Sequence, residues 1–357
     1  MVTLKDLLNE LGKHSASDLH IKVDDKPFIR IDGLIKRLDS YPVLSKNEVQ
    51  KLAGELMDDK QKGYFASEKE IDFAVGLNGE RYRLNVFTEM NQPSLVARRL
   101  FMDKRTFAEL NLPEVLETFA DAPRGLVLVT GVAGSGKTTT ISAMIEWINN
   151  NKASNIITIE DPIEFVFENN KSIIRQRELG SDTKNYLEAL KHIVRQDPDV
   201  IFIGEIRDQE TMDLAMKAAE LGILVFSTLH TINATETINR IIDLYPAHQQ
   251  NLARILLGST LLGIVSQRLL PKVGGGRVPA IEVMYNTSTT KQYILDPKET
   301  HNIKSAMVEG EYYGMQTFDQ SLVGLLKKGF IDIKDANQAT ESRQDLHLTL
   351  KDSGINQ

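Results

Sequence analysis

LVLVTGVAGSGKTTTISAMIEWIN, Leu126 to Asn149, carries three signals in a fixed order. A continuous apolar run comes first, then a glycine-rich turn, then apolar residues at helical spacing (Ile141, Met144, Ile145, Ile148). Strand, loop and helix in this order predict one unit of an open parallel sheet. The loop, GVAGSGKT (Gly131–Thr138), fits G-x-x-x-x-G-K-[ST] at every defined position. Such a loop wraps backbone N–H groups around a phosphate chain, so it needs free backbone conformation and no obstructing side chains. Its lysine reaches the β- and γ-phosphates, and the hydroxyl that follows is the usual magnesium ligand. The helix beyond it points its positive end at the anion. The candidate nucleotide-binding set is Gly131, Val132, Ala133, Gly134, Ser135, Gly136, Lys137, Thr138 and Thr139.

The same rhythm continues downstream. LVLVT (126–130), IITI (156–159), VIFI (200–203) and LVFST (224–228) are nearly unbroken apolar runs, as expected of parallel strands buried on both faces. Helical spacing lies between them, for example Met212, Ala215 and Ala219 with Gly222 as the stop. An α/β sheet with helices on both sides is predicted over 113–357, with a C-terminal helical segment from about 288 to 357. Trp147, the one tryptophan, is expected to pack against this domain.

Upstream the pattern differs. Residues 4–12 (LKDLLNELG) read as a helix stopped by Gly12, and 45–62 as another. DLHIKVDDKPFIRIDGLIKRLD reads as a hairpin turning at Asp32-Gly33. IDFAVGLNGERYRLNVFTEM and SLVARRL add three strands. A smaller α+β domain over 1–102 and a hinge or linker over 103–112 are the expected organisation.

The chain has 357 residues, 41% hydrophobic and 25% charged, which suits a two-domain globular protein. It has no cysteine, so disulfides and thiolate zinc sites are excluded. Its net charge of -7 argues against a dedicated nucleic-acid binder. The longest uncharged apolar stretch, Ile255–Ser266, is too short to span a bilayer, so no direct membrane insertion is expected.

In an open parallel sheet, ligands bind beyond the carboxyl ends of the strands. Three such ends carry candidate chemistry. VIFIGEIRD places Glu205 after Gly204, where it either helps hold a magnesium shell or is a solvated helix-start acid. TIEDPIE places Glu160 and Asp161 at a strand end and Glu164 past the turn at Pro162. Spacing leaves two readings of Asp161 and Glu164 even: caps of a helix start, or, for Glu164, the group that orients and deprotonates water. LVFSTLHTINA presents His230, which can donate a hydrogen bond to a γ-phosphate, although a lone histidine is ordinarily structural. ERYRLNVF puts Arg81 and Arg83 on one strand face, and Arg98 follows in SLVARRL. By default these arginines are surface ion-pair partners; otherwise they reach a nucleotide held by a neighbouring subunit.

GVAGSGKT, TIEDPIE, RQDPDVIFIGEIRD and FSTLHTINATETINRIIDLYP, in this order, resemble the secretion-ATPase superfamily. Within it the chain is similar to the type IV pilus retraction (twitching-motility) ATPases of the PilT and PilU kind. The likeness runs from SDLHIKV (17–23) to GMQTFDQSL (314–322). It implies a RecA-like ATPase domain that binds ATP with Mg2+, preceded by a PAS-like domain, in a cytoplasmic homohexameric ring. It also implies Glu164 as the catalytic glutamate, Glu205 as an atypical Walker B glutamate, His230 as the histidine-box residue, and Arg81, Arg83 and Arg98 as arginine fingers. The implied work is pilus retraction and disassembly through the inner-membrane platform protein, with other pilus ATPases as further partners and no nucleic acid. The implied location is peripheral to the inner membrane, through the pilus machine.

Two positions depart from the family pattern. Ile223 follows Gly222 where many members carry a second histidine, which leaves His230 alone. EVMYNTSTTKQYILDPKE lacks the two arginines that retraction ATPases often carry after Glu282-Val283-Met284. The absence of cysteine favours the retraction branch over extension and type II secretion ATPases, which commonly carry a four-cysteine zinc site. The alternatives are a nucleic-acid translocase on a RecA-like core and an accessory or adaptor paralogue with weak ATPase activity.

Overall fold

The computed structural model describes residues 2–31, 34–100 and 105–352. The chain divides into two compact units, Met1–Asp103 with Pro162–Val166, and Lys104–Asp161 with Phe167–Gln357.

The first unit is α+β. In chain order it holds α1 (Leu4–Lys13), β1 (Asp18–Ile21), β2 (Phe28–Ile31), β3 (Leu34–Arg37), α2 (Lys46–Glu55), α3 (Asp59–Glu68), β4 (Glu70–Leu77), β5 (Glu80–Glu89) and β6 (Gln92–Leu100). The strands form one antiparallel sheet in the order β3-β2-β1-β6-β5-β4. Leu4, Leu7, Leu8 and Leu11 recur at helical spacing and are fully buried, in one core with Leu19, Leu84 and Val86 of the sheet. Alternation along β5 buries Tyr82 and Leu84 and leaves Arg81 and Arg83 on the other face.

Two local expectations are corrected here. The first helix continues through Gly12 to Lys13, and the chain turns instead at Ser15, whose φ is 49°. The stretch 45–62 is two helices rather than one. Asp58 leaves helical geometry, with ψ 174°, and its side chain accepts a hydrogen bond from the Gln61 N–H to cap α3. The predicted Asp32-Gly33 turn lies outside the described residues, as do positions 103 and 104 of the predicted linker.

The second unit holds α4 (Val115–Asp121), β7 (Gly125–Thr130), α5 (Lys137–Asn151), β8 (Asn155–Glu160), β9 (Ile173–Glu178), α6 (Tyr186–Ile193), β10 (Val200–Ile203), α7 (Gln209–Glu220), β11 (Leu224–Leu229), α8 (Ala234–Asp243), α9 (Gln250–Thr260), β12 (Leu261–Pro271) and β13 (Arg277–Tyr285). It closes with α10 (Ser288–Leu295), α11 (Ile303–Glu309), α12 (Phe318–Lys327), α13 (Ile333–Ala339) and α14 (Arg343–Asp352). Seven strands form one sheet in the order β13-β12-β7-β11-β10-β8-β9. All neighbours are parallel except β12 and β13, which form an antiparallel edge.

The apolar runs feed two cores, one on each side of the sheet. Leu126, Leu128, Ile157 and Ile201 belong to one, and Val127, Val129, Ile156 and Phe202 to the other. Trp147 packs, partly buried, against the second of these cores. Strands β9, β12 and β13 have no counterpart in the sequence reading. β9 (IIRQRE) is half charged, and β12 follows α9 without an intervening turn, so neither shows a clean strand signal. Pro279 sits inside β13, which the sheet tolerates because β13 is an edge strand.

Candidate active site

Strands β7, β11, β10 and β8 are consecutive neighbours and run in the same direction. Thr130 pairs with Leu229, and Ile203 pairs with both Ser227 and Ile159. The chain therefore leaves the same edge of the sheet as the phosphate loop from β7, His230 from β11, Gly204-Glu205 from β10 and Asp161 from β8.

The loop is shaped by close backbone approach. At Gly131, with φ 145°, a Cβ would lie 2.4 Å from the Gln267 carbonyl oxygen and 2.6 Å from Ser135 Oγ, so only glycine fits. Lys137 is buried, and its Nζ donates to the carbonyls of Gly131 (2.7 Å) and Val132 (3.2 Å). Ser135 Oγ is buried without a hydrogen-bond partner among the described residues. Gly136 precedes α5 in a left-handed conformation, and no side chain caps the helix start. An orphaned hydroxyl, an ammonium held by carbonyls and an uncapped helix N-terminus form a set that the oxygens of a phosphate chain would satisfy. The residues present therefore fit a bound nucleotide. Thr138 and Thr139 lie half-buried in the first turn of α5.

Glu205 and His230 come together. The Glu205 carboxylate accepts from Arg207 Nε at 2.9 Å, and its other oxygen lies 3.2 Å from His230 Nε2. The helix-start reading of Glu205 is excluded, because Asp208 caps α7 by accepting from the Thr211 N–H. His230 is not a core histidine, since 51% of its side chain is exposed. Gly204 answers a steric demand: a Cβ there would lie 2.8 Å from the Tyr186 hydroxyl oxygen. Burial pushes the Tyr186 phenol above its ordinary pKa, and the charges of Asp161 and Glu205 push it further, so it presents a neutral O–H at this edge.

The acids of TIEDPIE separate. Glu160 is buried and accepts from Thr158 Oγ1 at 2.6 Å and Gln176 Nε2 at 3.2 Å, so the fold itself occupies this carboxylate. Asp161 is exposed. No helix begins after Pro162, and the chain runs in irregular conformation to β9, which removes the helix-cap reading of Asp161 and Glu164. Glu164 is half-buried in the segment Pro162–Val166, which groups with the first unit. Among the described residues its carboxylate has no hydrogen-bond or ion-pair partner.

Among the described residues, no three histidine, cysteine or acidic side chains cluster as a metal site. A magnesium at a phosphate loop takes only one or two protein oxygens, the rest coming from phosphates and water, so such a site needs no cluster of this kind.

The arginines lie in the first unit. Arg83 Nε donates to both oxygens of Asp72, at 2.8 and 3.0 Å. Arg98 Nε donates to the buried Asp18 at 2.8 Å, and Arg30 stands 3.7 Å from the same carboxylate. Burial works to raise the pKa of Asp18, but hydrogen bonds from Arg98 and Ser17 prevail and hold it below the ordinary range. Arg98 pairs across the sheet with both Asp18 and Arg83, so the three form one cross-strand row. Arg81 is half-buried on the same face of β5 as Arg83. Within a single chain, the ion-pair reading of Arg83 and Arg98 holds.

Sequence reasoning missed Tyr186, Arg207 and Gln267. Arg207 was within reach, standing two positions after Glu205. The others act from elements whose neighbours are set only by strand order.

Residues 2–277 match the family described as "Type II/IV secretion system protein". The chain is 43% identical over 336 residues to the type IV pilus retraction ATPase PilT of Pseudomonas aeruginosa, spanning 94% of this chain and 97% of that protein. It is 40% identical over 322 residues to a twitching motility protein of Neisseria gonorrhoeae, spanning 90% of this chain and 86% of that protein. A crystal structure of the pilus retraction motor PilT with bound ADP superimposes with a TM-score of 0.91 at 42% identity, covering 98% of this chain and 100% of that one.

Proposed function

The chain belongs to the type II/IV secretion system protein family and is an ATPase, and we propose that it works as a homohexameric ring that drives retraction of a type IV pilus. The observation that carries this reading is the run of neighbouring strand ends that sets the phosphate loop, His230, Glu205 and Asp161 along one sheet edge.

ATP enters with its phosphates in the loop 131–138. Lys137 exchanges the carbonyls of Gly131 and Val132 for phosphate oxygens, and the uncapped start of α5 faces the same charge. Thr138 and Glu205 would hold Mg2+, which when bound neutralises charge on the β- and γ-phosphates. His230, poised against Glu205, reports whether the γ-phosphate is present. Glu164 orients and deprotonates the attacking water, and its unengaged carboxylate supports that role. Arg81, Arg83 and Arg98 act on the nucleotide of an adjacent copy, where cations stabilise the charge that develops in phosphoryl transfer. For that to happen Arg83 exchanges Asp72, and Arg98 exchanges Asp18, for phosphate oxygens.

Turnover then changes the shape of the ring and works on the platform protein of the pilus machine at the inner membrane, from the cytoplasmic side. No helix among the described residues is long and apolar enough to cross a membrane, so attachment through such a partner is the simplest arrangement. The test is ATPase activity measured together with particle mass. Magnesium-dependent turnover by a species of six chains is expected. Full turnover by a monodisperse monomer would overturn the ring.

A further inference from the structure

Gln267 lies within β12, one residue beyond the point where Ser266 pairs with Thr130, the last residue before the phosphate loop. It is 3% exposed, and both ends of its amide are engaged. Nε2 donates to the Ser135 carbonyl at 2.8 Å, and Oε1 accepts from Thr140 Oγ1 at 2.8 Å. The two partners bracket Lys137, one before it in the loop and one after it in the first turn of α5. Packing repeats this: a Cβ on Gly136 would lie 2.7 Å from Gln267 Nε2, and one on Gly131 would lie 2.4 Å from its carbonyl oxygen.

We propose that Gln267 is a positioning residue for the phosphate loop, holding it in its nucleotide-binding shape from the neighbouring strand. In a planar trans peptide, the carbonyl of one residue and the N–H of the next point in opposite directions. Tying the Ser135 carbonyl to Gln267 therefore turns the Gly136 N–H away from β12. The bond to Thr140 fixes the first turn of α5 relative to the same side chain. One buried amide thus sets both the loop peptide before Lys137 and the helix start after it. The loop then arrives ordered, and less binding energy is lost in arranging it.

This inference rests on the reading of loop 131–138 as the ATP site, and the experiment separates the two. ADP binding by calorimetry, ATPase kinetics and thermal unfolding without nucleotide are measured on four assembled proteins: wild type, Gln267→Met, Thr140→Val and the double variant. Methionine keeps the length of glutamine but has no N–H to give Ser135 and only a weakly accepting sulfur for Thr140. Gln267→Met is expected to weaken ADP binding and raise KM for ATP about 10-fold or more, with kcat at saturation within about 3-fold. Thr140→Val is expected to weaken binding by a smaller factor in the wild-type background and by almost none in the Gln267→Met background. If Gln267→Met does not fold, Thr140→Val alone decides, because it removes one of the two bonds from the opposite side. A lower melting temperature with unchanged ADP affinity would make Gln267 a purely structural residue and overturn the proposal. Wild type that fails to bind ADP would instead overturn the reading of the site.

Discussion

Glu160, Asp161 and Glu164 lie within five positions of one another, yet the fold gives them different surroundings. Glu160 is bonded inside the second unit by Thr158 and Gln176 and is not available for transfer chemistry. Among the described residues nothing engages the Glu164 carboxylate, and a general base requires a free one. Replacing it by glutamine preserves shape and removes the basic lone pair. We expect Glu164→Gln to bind Mg-ADP within about 3-fold of wild type and to lower turnover by roughly 10²- to 10⁴-fold. A Glu164→Gln enzyme with wild-type kcat in a steady-state assay would assign the base elsewhere. Glu205 is the contrasting case, since its two oxygens face Arg207 and His230 and it acts as the junction of two strand ends.

At the scale of elements, the β12–β13 edge does more than close the sheet. Ser266 of β12 pairs with Glu282 of β13 and accepts from Thr130 Oγ1 at 3.1 Å. The Glu282 carboxylate in turn accepts from the backbone N–H of Ala234, the first residue of α8, at 2.8 Å. Burial pushes Glu282 up to about 7 from an ordinary 4.5; the Ala234 N–H opposes the rise, Glu341 adds to it and Arg268 opposes it. A folded-state pKa above the unfolded value means that the folded state holds the proton more tightly. This contribution to stability is complete below about pH 4.5 and is lost as pH rises to about 7. Glu282→Gln keeps the acceptor for Ala234 and removes the titration. In urea unfolding, the variant should gain on wild type between pH 5 and pH 8, by up to about 3 kcal/mol. Parallel pH profiles for the two proteins would show that Glu282 does not titrate in this range.

At the scale of the whole molecule, the arginines decide whether one chain suffices. Arg83 and Arg98 are neutralised by Asp72 and Asp18 of their own unit, so their proposed work requires a second copy to compete for them. Lys137→Ala removes the proposed nucleotide-binding group and Arg98→Ala the proposed trans-acting one. Each variant alone should turn over poorly. A mixture assembled together should regain activity, because an Arg98→Ala chain supplies an intact loop and a Lys137→Ala neighbour supplies an intact arginine. A mixture no more active than the average of its parts would place Arg98 outside the reaction in trans.

What could be read from the sequence was what is local. GVAGSGKT imposes backbone and side-chain demands within eight positions, and the four apolar runs declare strands buried on both faces, so the α/β class and the phosphate loop were legible. Strand-end position offered Glu205 and His230 as candidates, and the resemblance then implied a role for each. The half-charged β9, the turnless entry into β12 and the second helix that Asp58 begins were not legible, because tertiary packing and a local cap overrode the pattern. Strand order was decided by the tertiary structure alone, and with it everything that crosses between strands. It sets His230 against Glu205, Tyr186 against Gly204 and Gln267 under the phosphate loop. The reason is that spacing along the chain specifies which groups a segment offers, whereas the partner of a buried polar group is chosen by whichever element the sheet places next to it.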